Sequence, residues 1–240
     1  MTAPVAIWHD LECGSYTEDL AFWRELARRQ GGPILDVGAG TGRTTLELAR
    51  DGHAVTAIDL DDDLLTVLRE RGRGLEISTA AADARSFDLG AVFPLCIVPM
   101  QTIQLLGGAS GRARFLESAA RHLEPRGVLA IALADELEPF EVSTGLPGPL
   151  PDITEIDGVV YSSRPVAVRA DGDGHILERR RETVTQGGEL AVEQDLIHLD
   201  GLDPETLERE GTAAGLRPAG RVVIEPTEDY VGSTVVMFRA

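Results

Sequence analysis

The segment Ile34-Leu35-Asp36-Val37-Gly38-Ala39-Gly40-Thr41-Gly42 constrains the fold of this chain more than any other. A short apolar run containing a carboxylate leads into glycines spaced G-x-G-x-G. An apolar run this short, followed by glycines and then a helical pattern, reads as a buried strand turning into a helix. Glycine lets the backbone of such a turn approach a ligand closely. Downstream, Val55-Thr56-Ala57-Ile58-Asp59 is a second apolar run, and its terminal carboxylate suits a ribose diol. The two segments together predict an α/β fold that binds a nucleoside-containing cofactor.

The rest of the pattern supports that fold. Residues 17–30 read as a helix capped by Thr17, with Leu20, Trp23, Leu26 and Ala27 as its stripe. After the strand at 34–37 come a helix at 44–50, a strand at 54–58 and a helix capped by Asp61. A weak strand at 75–78, a strand at 92–98 and a helix at 111–123 follow. Pro125-Arg126-Gly127 then turns the chain into a strand at 128–133. Strands alternating with helices imply a parallel sheet covered on both faces. The rhythm breaks after Asp135. Residues 139–151 are rich in proline and glycine and read as an irregular loop. Three strand-like runs follow at 159–168, 175–185 and 189–199. Asp171-Gly172-Asp173-Gly174 and Gln186-Gly187-Gly188 separate them as hairpin turns do. Asp203-Pro204 then starts a helix that ends at Gly215, and strands at 222–225 and 234–238 close the chain. The expected architecture is a doubly wound, Rossmann-like, seven-stranded, mostly parallel sheet with an antiparallel β-meander insert. Residues 1–30 form an N-terminal lid and helix, 31–138 with 200–240 the core, and 139–199 the inserted loop and meander.

Charge narrows the partners. The chain has 240 residues, 22 basic and 40 acidic, for a net charge of −18. Nucleic acid and anionic membrane surfaces repel such a protein, which leaves a small molecule or an acyl carrier as substrate. Two cysteines, Cys13 and Cys96, make neither a disulfide framework nor a metal site. The chain has no basic-then-apolar leader, and no stretch reaches the ~18 apolar residues of a membrane helix. A cytoplasmic location is expected.

The glycine spacing separates two cofactor classes. A dinucleotide loop is G-x-G-x-x-G and faces a pyrophosphate. The spacing here is shorter, and Asp36 would repel phosphates but suit a cationic amino group. These residues resemble the class I S-adenosylmethionine-dependent methyltransferases, closely over 34–135 and in outline over 200–238. The resemblance implies S-adenosylmethionine as cofactor, with Asp36, Gly38, Ala39 and Gly40 in the donor loop. Asp59 and Leu60 fall after the second strand, where the family holds the ribose. Asp83 and Ala84 fall where it reads adenine. Pro99 and Gln101 fall where the reaction centre is lined, and His122 to Gly127 is similar to the family's L-x-P-G-G turn. A meander insert resembles that of small-molecule enzymes, including sugar N-methyltransferases, where it covers the active site or forms a dimer contact. The segment from His9 to Tyr16 is similar to their N-terminal lid.

The implied reaction is methyl transfer to nitrogen or oxygen of a small metabolite. The protein aligns the acceptor and excludes water, and a base is needed only if the acceptor must lose a proton. His9, Tyr16 and Gln101 are the candidate catalytic residues, with His198, Asp135 and Glu136 as further candidates. Arg43, directly after the glycines, either salt-bridges a carboxylate of the cofactor or substrate or makes a packing contact. Strand alternation puts Arg179 and Arg181 on one face and Arg180 on the other; the run either meets an anionic substrate or, as expected here, forms a solvated face paired with Glu178 and Glu182. A homodimer is compatible with the insert. The alternatives are a protein that binds S-adenosylmethionine without transferring methyl and an NAD-dependent oxidoreductase.

Overall fold

The computed structural model describes residues 4–134, 137–142, 148–227 and 230–240. Two helices open the chain, α1 (Pro4–Cys13) and α2 (Leu20–Gln30). Strands and helices then alternate: β1 (Ile34–Val37), α3 (Arg43–Arg50), β2 (Val55–Asp59), α4 (Asp62–Arg71), β3 (Ile77–Ala81), β4 (Phe93–Val98), α5 (Gly108–Arg121) and β5 (Leu123–Leu133). An insert carries β6 (Phe140–Glu141), β7 (Asp152–Ile156), β8 (Val159–Asp171), β9 (Gly174–Val184) and β10 (Leu190–Leu199). The core closes with α6 (Pro204–Ala213), β11 (Arg217–Ile224) and β12 (Ser233–Arg239).

The main sheet has seven strands in the order β11-β12-β5-β4-β1-β2-β3. Strands β1 to β5 run parallel, and β12 pairs antiparallel with both β5 and β11. The chain winds outward from β1 through β2 to β3, then returns to β4 on the other side. The strand order therefore reverses at β1, and the crevice beyond its carboxyl end is where such sheets bind ligands. The glycine segment leaves β1 at that point.

Both faces of the central strands are covered, so they read as apolar runs. Leu35 and Val37 of β1 pack with Phe115 of α5 and Phe238 of β12. Ile34 faces the other way, into a cluster with Trp23, Leu48, Leu95 and Ile97. Alternation along β1 places Asp36 on the Ile34 side, beneath α3.

The insert forms its own antiparallel sheet, ordered β10-β9-β8-β6, with β7 paired to β8. Gln104, in a short 3-10 turn after β4, locks the insert to the core. Its Nε2 donates to Ala134 O at 3.0 Å and Asp200 O at 3.1 Å, and Ala134 N donates to its Oε1 at 2.8 Å. Arg112 of α5, buried, spans Asp200 and Glu210.

Several boundaries differ from the sequence reading. Residues 4–13 form a helix within the lid segment, where the only helix expected was at 17–30. The N-cap of α2 is Asp19 rather than Thr17, and its carboxylate caps nothing: it accepts from Trp23 Nε1 at 2.8 Å and binds Arg43. Strand β3 lies at 77–81 rather than 75–78, and β11 begins at Arg217. The stretch read as irregular, 139–151, contains the two-residue β6, and β7 follows it directly. Asp61 and Asp203 cap α4 and α6 as read: their side chains accept from Asp63 N and Thr206 N.

Candidate active site

The loop after β1 is held from two directions. Gly38 N and Ala39 N both donate to Ile58 O, at 2.9 and 3.0 Å, which folds the loop over the end of β2. Asp59 reaches back: its Oδ2 accepts from Gly40 N at 2.8 Å and its Oδ1 from Asp61 N at 3.0 Å. Gly38 and Gly40 have φ of 74° and 56°, left-handed conformations that only glycine adopts cheaply. A Cβ on Gly38 would lie 2.5 Å from Thr102 Cγ2, and one on Gly40 only 2.2 Å from His9 Nε2. The loop is therefore a cradle with no room for side chains.

Asp36 lies buried under this loop. Thr45 Oγ1 of α3 donates to its Oδ2 at 2.6 Å, while Oδ1 has no partner among the described residues. Burial pushes its carboxyl up to about 6; Thr45 and the charge of Arg43 oppose that rise, and Asp59 and Asp19 add to it. An unpartnered buried carboxylate oxygen is expensive unless a ligand completes it. A cationic amino group fits that requirement; a pyrophosphate does not.

The flanking candidates line the same edge. Leu60, directly after Asp59, is 71% exposed, an apolar side chain open to solvent at the end of β2. Asp83 is ionised and gripped by its neighbour: Arg85 donates from its backbone N at 2.8 Å, Nε at 2.9 Å and Nη2 at 2.7 Å. Those bonds hold the Asp83 carboxyl down at about 2. Ala84 is half-buried against the cluster that contains Phe87. Pro99 is buried at the end of β4. Met100 follows with φ 57°, and Gln101 comes next, half-buried, with no side-chain partner among the described residues.

Helix α1 covers the cradle. Thr41 Oγ1 donates to Asp10 Oδ1 at 2.6 Å, so it accepts from His9 Nδ1–H at 3.3 Å. That leaves His9 Nε2 as a bare lone pair above Gly40. Burial lowers the basicity of His9, the nearby acids Asp10 and Asp59 opposing it. His9 thus stands directly over the glycine cradle. Tyr16 is packed into the protein. Its ring is buried 5.1 Å from that of Tyr230, its hydroxyl bonds Ser233, and burial with the nearby Asp19 charge raises its pKa. Arg43 is engaged within the protein: it grips Asp19 with both terminal nitrogens, at 2.6 and 2.7 Å, and donates to Tyr16 O at 2.9 Å. Its partner in this structure is therefore an internal carboxylate.

On the insert, alternation is as read but the solvated face is not. Arg180 pairs with Glu182 at 2.7 Å. Arg179 and Arg181 point inward, where Arg181 binds Glu12 of α1 through Nε and Nη2, both at 2.7 Å. His198 faces solvent, 3.5 Å from Asp171. Asp135 and Glu136 lie outside the described residues. Ser163 and Tyr230 enter the site region without having been singled out in the sequence, and Glu12, within the segment read as a lid, enters through a partner on the insert. Only chain-distant packing reveals them. A separate cavity of about 410 Å³, lined by Phe87, Asp88, Val92 and His122, opens at the amino end of β4, away from the cradle. His122 is satisfied there, donating to Ser118 O and accepting from Leu89 N.

The strand order, the glycine cradle at the switch point and the acidic end of β2 define a class I methyltransferase fold. Residues 34–127, from β1 into β5, match the family described as a methyltransferase domain. Solved structures share the fold over the whole length. The sugar N-methyltransferase KedS8 from Streptoalloteichus is 22% identical with TM-score 0.74, covering 100% of this chain and 94% of that one. CalS10, an amino pentose methyltransferase from Micromonospora echinaspora, is 22% identical with TM-score 0.73, covering 100% and 98%. Among curated relatives, the demethylmenaquinone methyltransferase of Tropheryma whipplei is 33% identical over 129 residues, 49% of each chain. The chain spans about half the length of the curated relatives it matches. Among the described residues, no helix is long and apolar enough to cross a membrane.

Proposed function

We propose that this protein is an S-adenosylmethionine-dependent methyltransferase acting on nitrogen or oxygen of a small metabolite. The observation that carries the reading is the cradle at the switch point. Its glycine backbone is tied to Asp59 and its floor is the half-partnered Asp36. Asp36, Gly38, Ala39 and Gly40 would hold the methionine portion, Asp59 and Leu60 the ribose, Asp83 and Ala84 the adenine side, and Pro99 would line the cofactor at the reaction centre. When bound, the sulfonium supplies a methyl group whose leaving group is already activated. The chain's own residues then have three tasks. Gln101 presents a free amide to orient the acceptor, Tyr16 and Tyr230 wall the site, and α1 with His9 excludes water. In this reading residues 31–138 with 200–240 bind the donor, 139–199 face the acceptor and 1–30 form the lid.

The 22%-identical structures named for sugar and amino pentose methylation favour an amino sugar as the first acceptor to try. Calorimetry with S-adenosylmethionine, S-adenosylhomocysteine and NAD tests the donor. Labelled methyl transfer to a panel of amino sugars, amines, hydroxyls and carboxylates tests the acceptor. Binding of NAD alone would defeat the reading, and tight donor binding without transfer to any acceptor would favour a binding protein. The exposed edge strand β10 further supports a homodimer built through the insert.

A further inference from the structure

Helix α1 is a wedge between the core and the insert. Ala6 and Asp10, one turn apart, lie toward α4. Ala6 packs with Leu64 and Val67, and Asp10 binds Arg71 as well as Thr41. Trp8 and Glu12, also one turn apart, lie toward the inserted sheet. The Trp8 ring meets that of Tyr161 edge-on at 5.4 Å, with the Arg181 guanidinium over it at 5.3 Å. At about 100° per residue these two faces are on opposite sides of the helix. His9 falls between them and rests on Gly40.

Glu12 is the centre of the insert-side face. Its carboxylate takes Nε and Nη2 of Arg181 and the Ser163 hydroxyl, all at 2.7 Å, and Arg179 Nε stands 3.4 Å away. The Glu12 side chain is 8% exposed, those of Arg179 and Arg181 11% and 19%. A buried ion pair of this kind is a weak source of stability compared with apolar packing, but breaking one side of it is severe. It holds two bodies in one relative position, and the body it holds carries His9.

We propose that Glu12 is a positioning residue that locks the lid helix to the inserted sheet, so that α1 leaves the glycine cradle only when the insert moves with it. This deepens the methyltransferase reading and rests on it. Donor retention becomes a property of the insert, which the acceptor must also pass. Asp10 makes the matching tie on the core side, so the helix is held at both faces while the ligand is enclosed. With the joint intact the site opens only as the insert moves, whereas breaking it frees α1 to leave alone, so the joint limits how fast the donor product escapes.

The test uses the full chain and S-adenosylhomocysteine as probe, followed by stopped-flow tryptophan fluorescence, since Trp8 lies at the joint. Glu12→Gln and Arg181→Gln are each expected to raise the dissociation rate about tenfold, as truncating a buried charge pair acts on the off-rate. The double variant should be no faster than either single one, because both remove the same contact. The association rate should stay within about twofold of wild type, which a general loosening of the fold would not leave unchanged. Single variants with wild-type dissociation rates, or effects that multiply in the double variant, would overturn the proposal. A wild-type chain that does not take up the probe at all would instead bring down the methyltransferase reading, and the joint's role with it.

Discussion

Asp36 holds one oxygen against Thr45 and leaves the other unpartnered, in a layer otherwise filled by Ile34, Leu48 and Leu95. Unfolded, this carboxyl titrates near its ordinary value of about 4; folded, it does so at about 6. The folded chain therefore binds the extra proton between those values. Its contribution makes stability fall as pH rises through the window, then level off above it. A shift of two units corresponds to about 3 kcal/mol. Asp36→Asn should be as stable as wild type near pH 4 and more stable by up to that amount, about 3 kcal/mol, above pH 6.5. Urea unfolding at a series of pH values checks it, and a gap that does not vary with pH would exonerate the carboxyl. The same variant should bind S-adenosylmethionine more weakly, a trade of stability for a binding group. Asp59 is the complementary case, satisfied by Gly40 N and Asp61 N and still half-exposed. Asp59→Ala should weaken donor binding by roughly 1–3 kcal/mol, the loss of charge-assisted hydrogen bonds. Unchanged affinity by calorimetry would remove it from the ribose site. These residues were legible in the sequence because loop, cap and strand end follow one another along the chain. The partners of Arg43 and Arg181 were not. Arg181 and Glu12 are 169 positions apart, and a charge in sequence gives no sign of which opposite charge it will meet.

At the scale of elements, legibility followed the apolar pattern. The buried strands β1, β2 and β4 are short, mainly apolar runs whose starts were recovered to within a residue or so, whereas β5 begins at Leu123 rather than 128 because its first residues, Glu124 to Gly127, carry no apolar pattern. Helix α1 escaped because it buries two opposite faces, Ala6 against α4 and Trp8 against the insert, so no single stripe marks it. Strand β6 escaped because it is two residues long and exists only through pairing with Val168 and Ala167 of β8. The element that most affects the architecture is also silent in sequence. The 3-10 turn after β4 (Thr102–Leu105) carries Gln104, which joins the end of β5 to the return of the insert. Gln104 is buried with its amide fully used, so Gln104→Leu leaves Ala134 N, Ala134 O and Asp200 O short of a partner. The expected loss is about 3 kcal/mol of unfolding free energy. Amide exchange should also speed up at the β10 end and at Ala134 before the core opens. A loss under about 1 kcal/mol would mean that the turn, not the amide, holds the junction.

For the whole molecule, the strand order reversing at β1 sets the donor side, and the insert adds a second sheet with an unprotected edge. Among the described residues strand β10 pairs only with β9, and Leu190, Val192 and Leu196 on it are 59%, 47% and 55% exposed. Their alternation puts them on one face, while Glu193 and Asp195 take the other, where Asp195 meets Arg181 at 3.0 Å. A long edge strand with apolar side chains is the arrangement that soluble proteins normally blunt. The proposed homodimer uses it: two copies of β10 pairing antiparallel would extend both sheets and cover these side chains. Charge gives the sign of the salt effect. Each copy carries −18, so long-range repulsion opposes association, and added salt should tighten the dimer by screening it. An interface made of ion pairs would loosen instead. Sedimentation velocity at two salt concentrations should show a dimer whose population grows with salt. The Val192→Lys, Leu196→Lys double variant should run as a monomer with unchanged far-ultraviolet circular dichroism. A wild-type monomer at tens of micromolar in high salt would rule this interface out, leaving β10 as an exposed edge. Donor binding lies on the other sheet and should survive the double variant, which separates assembly from the chemistry of the cradle.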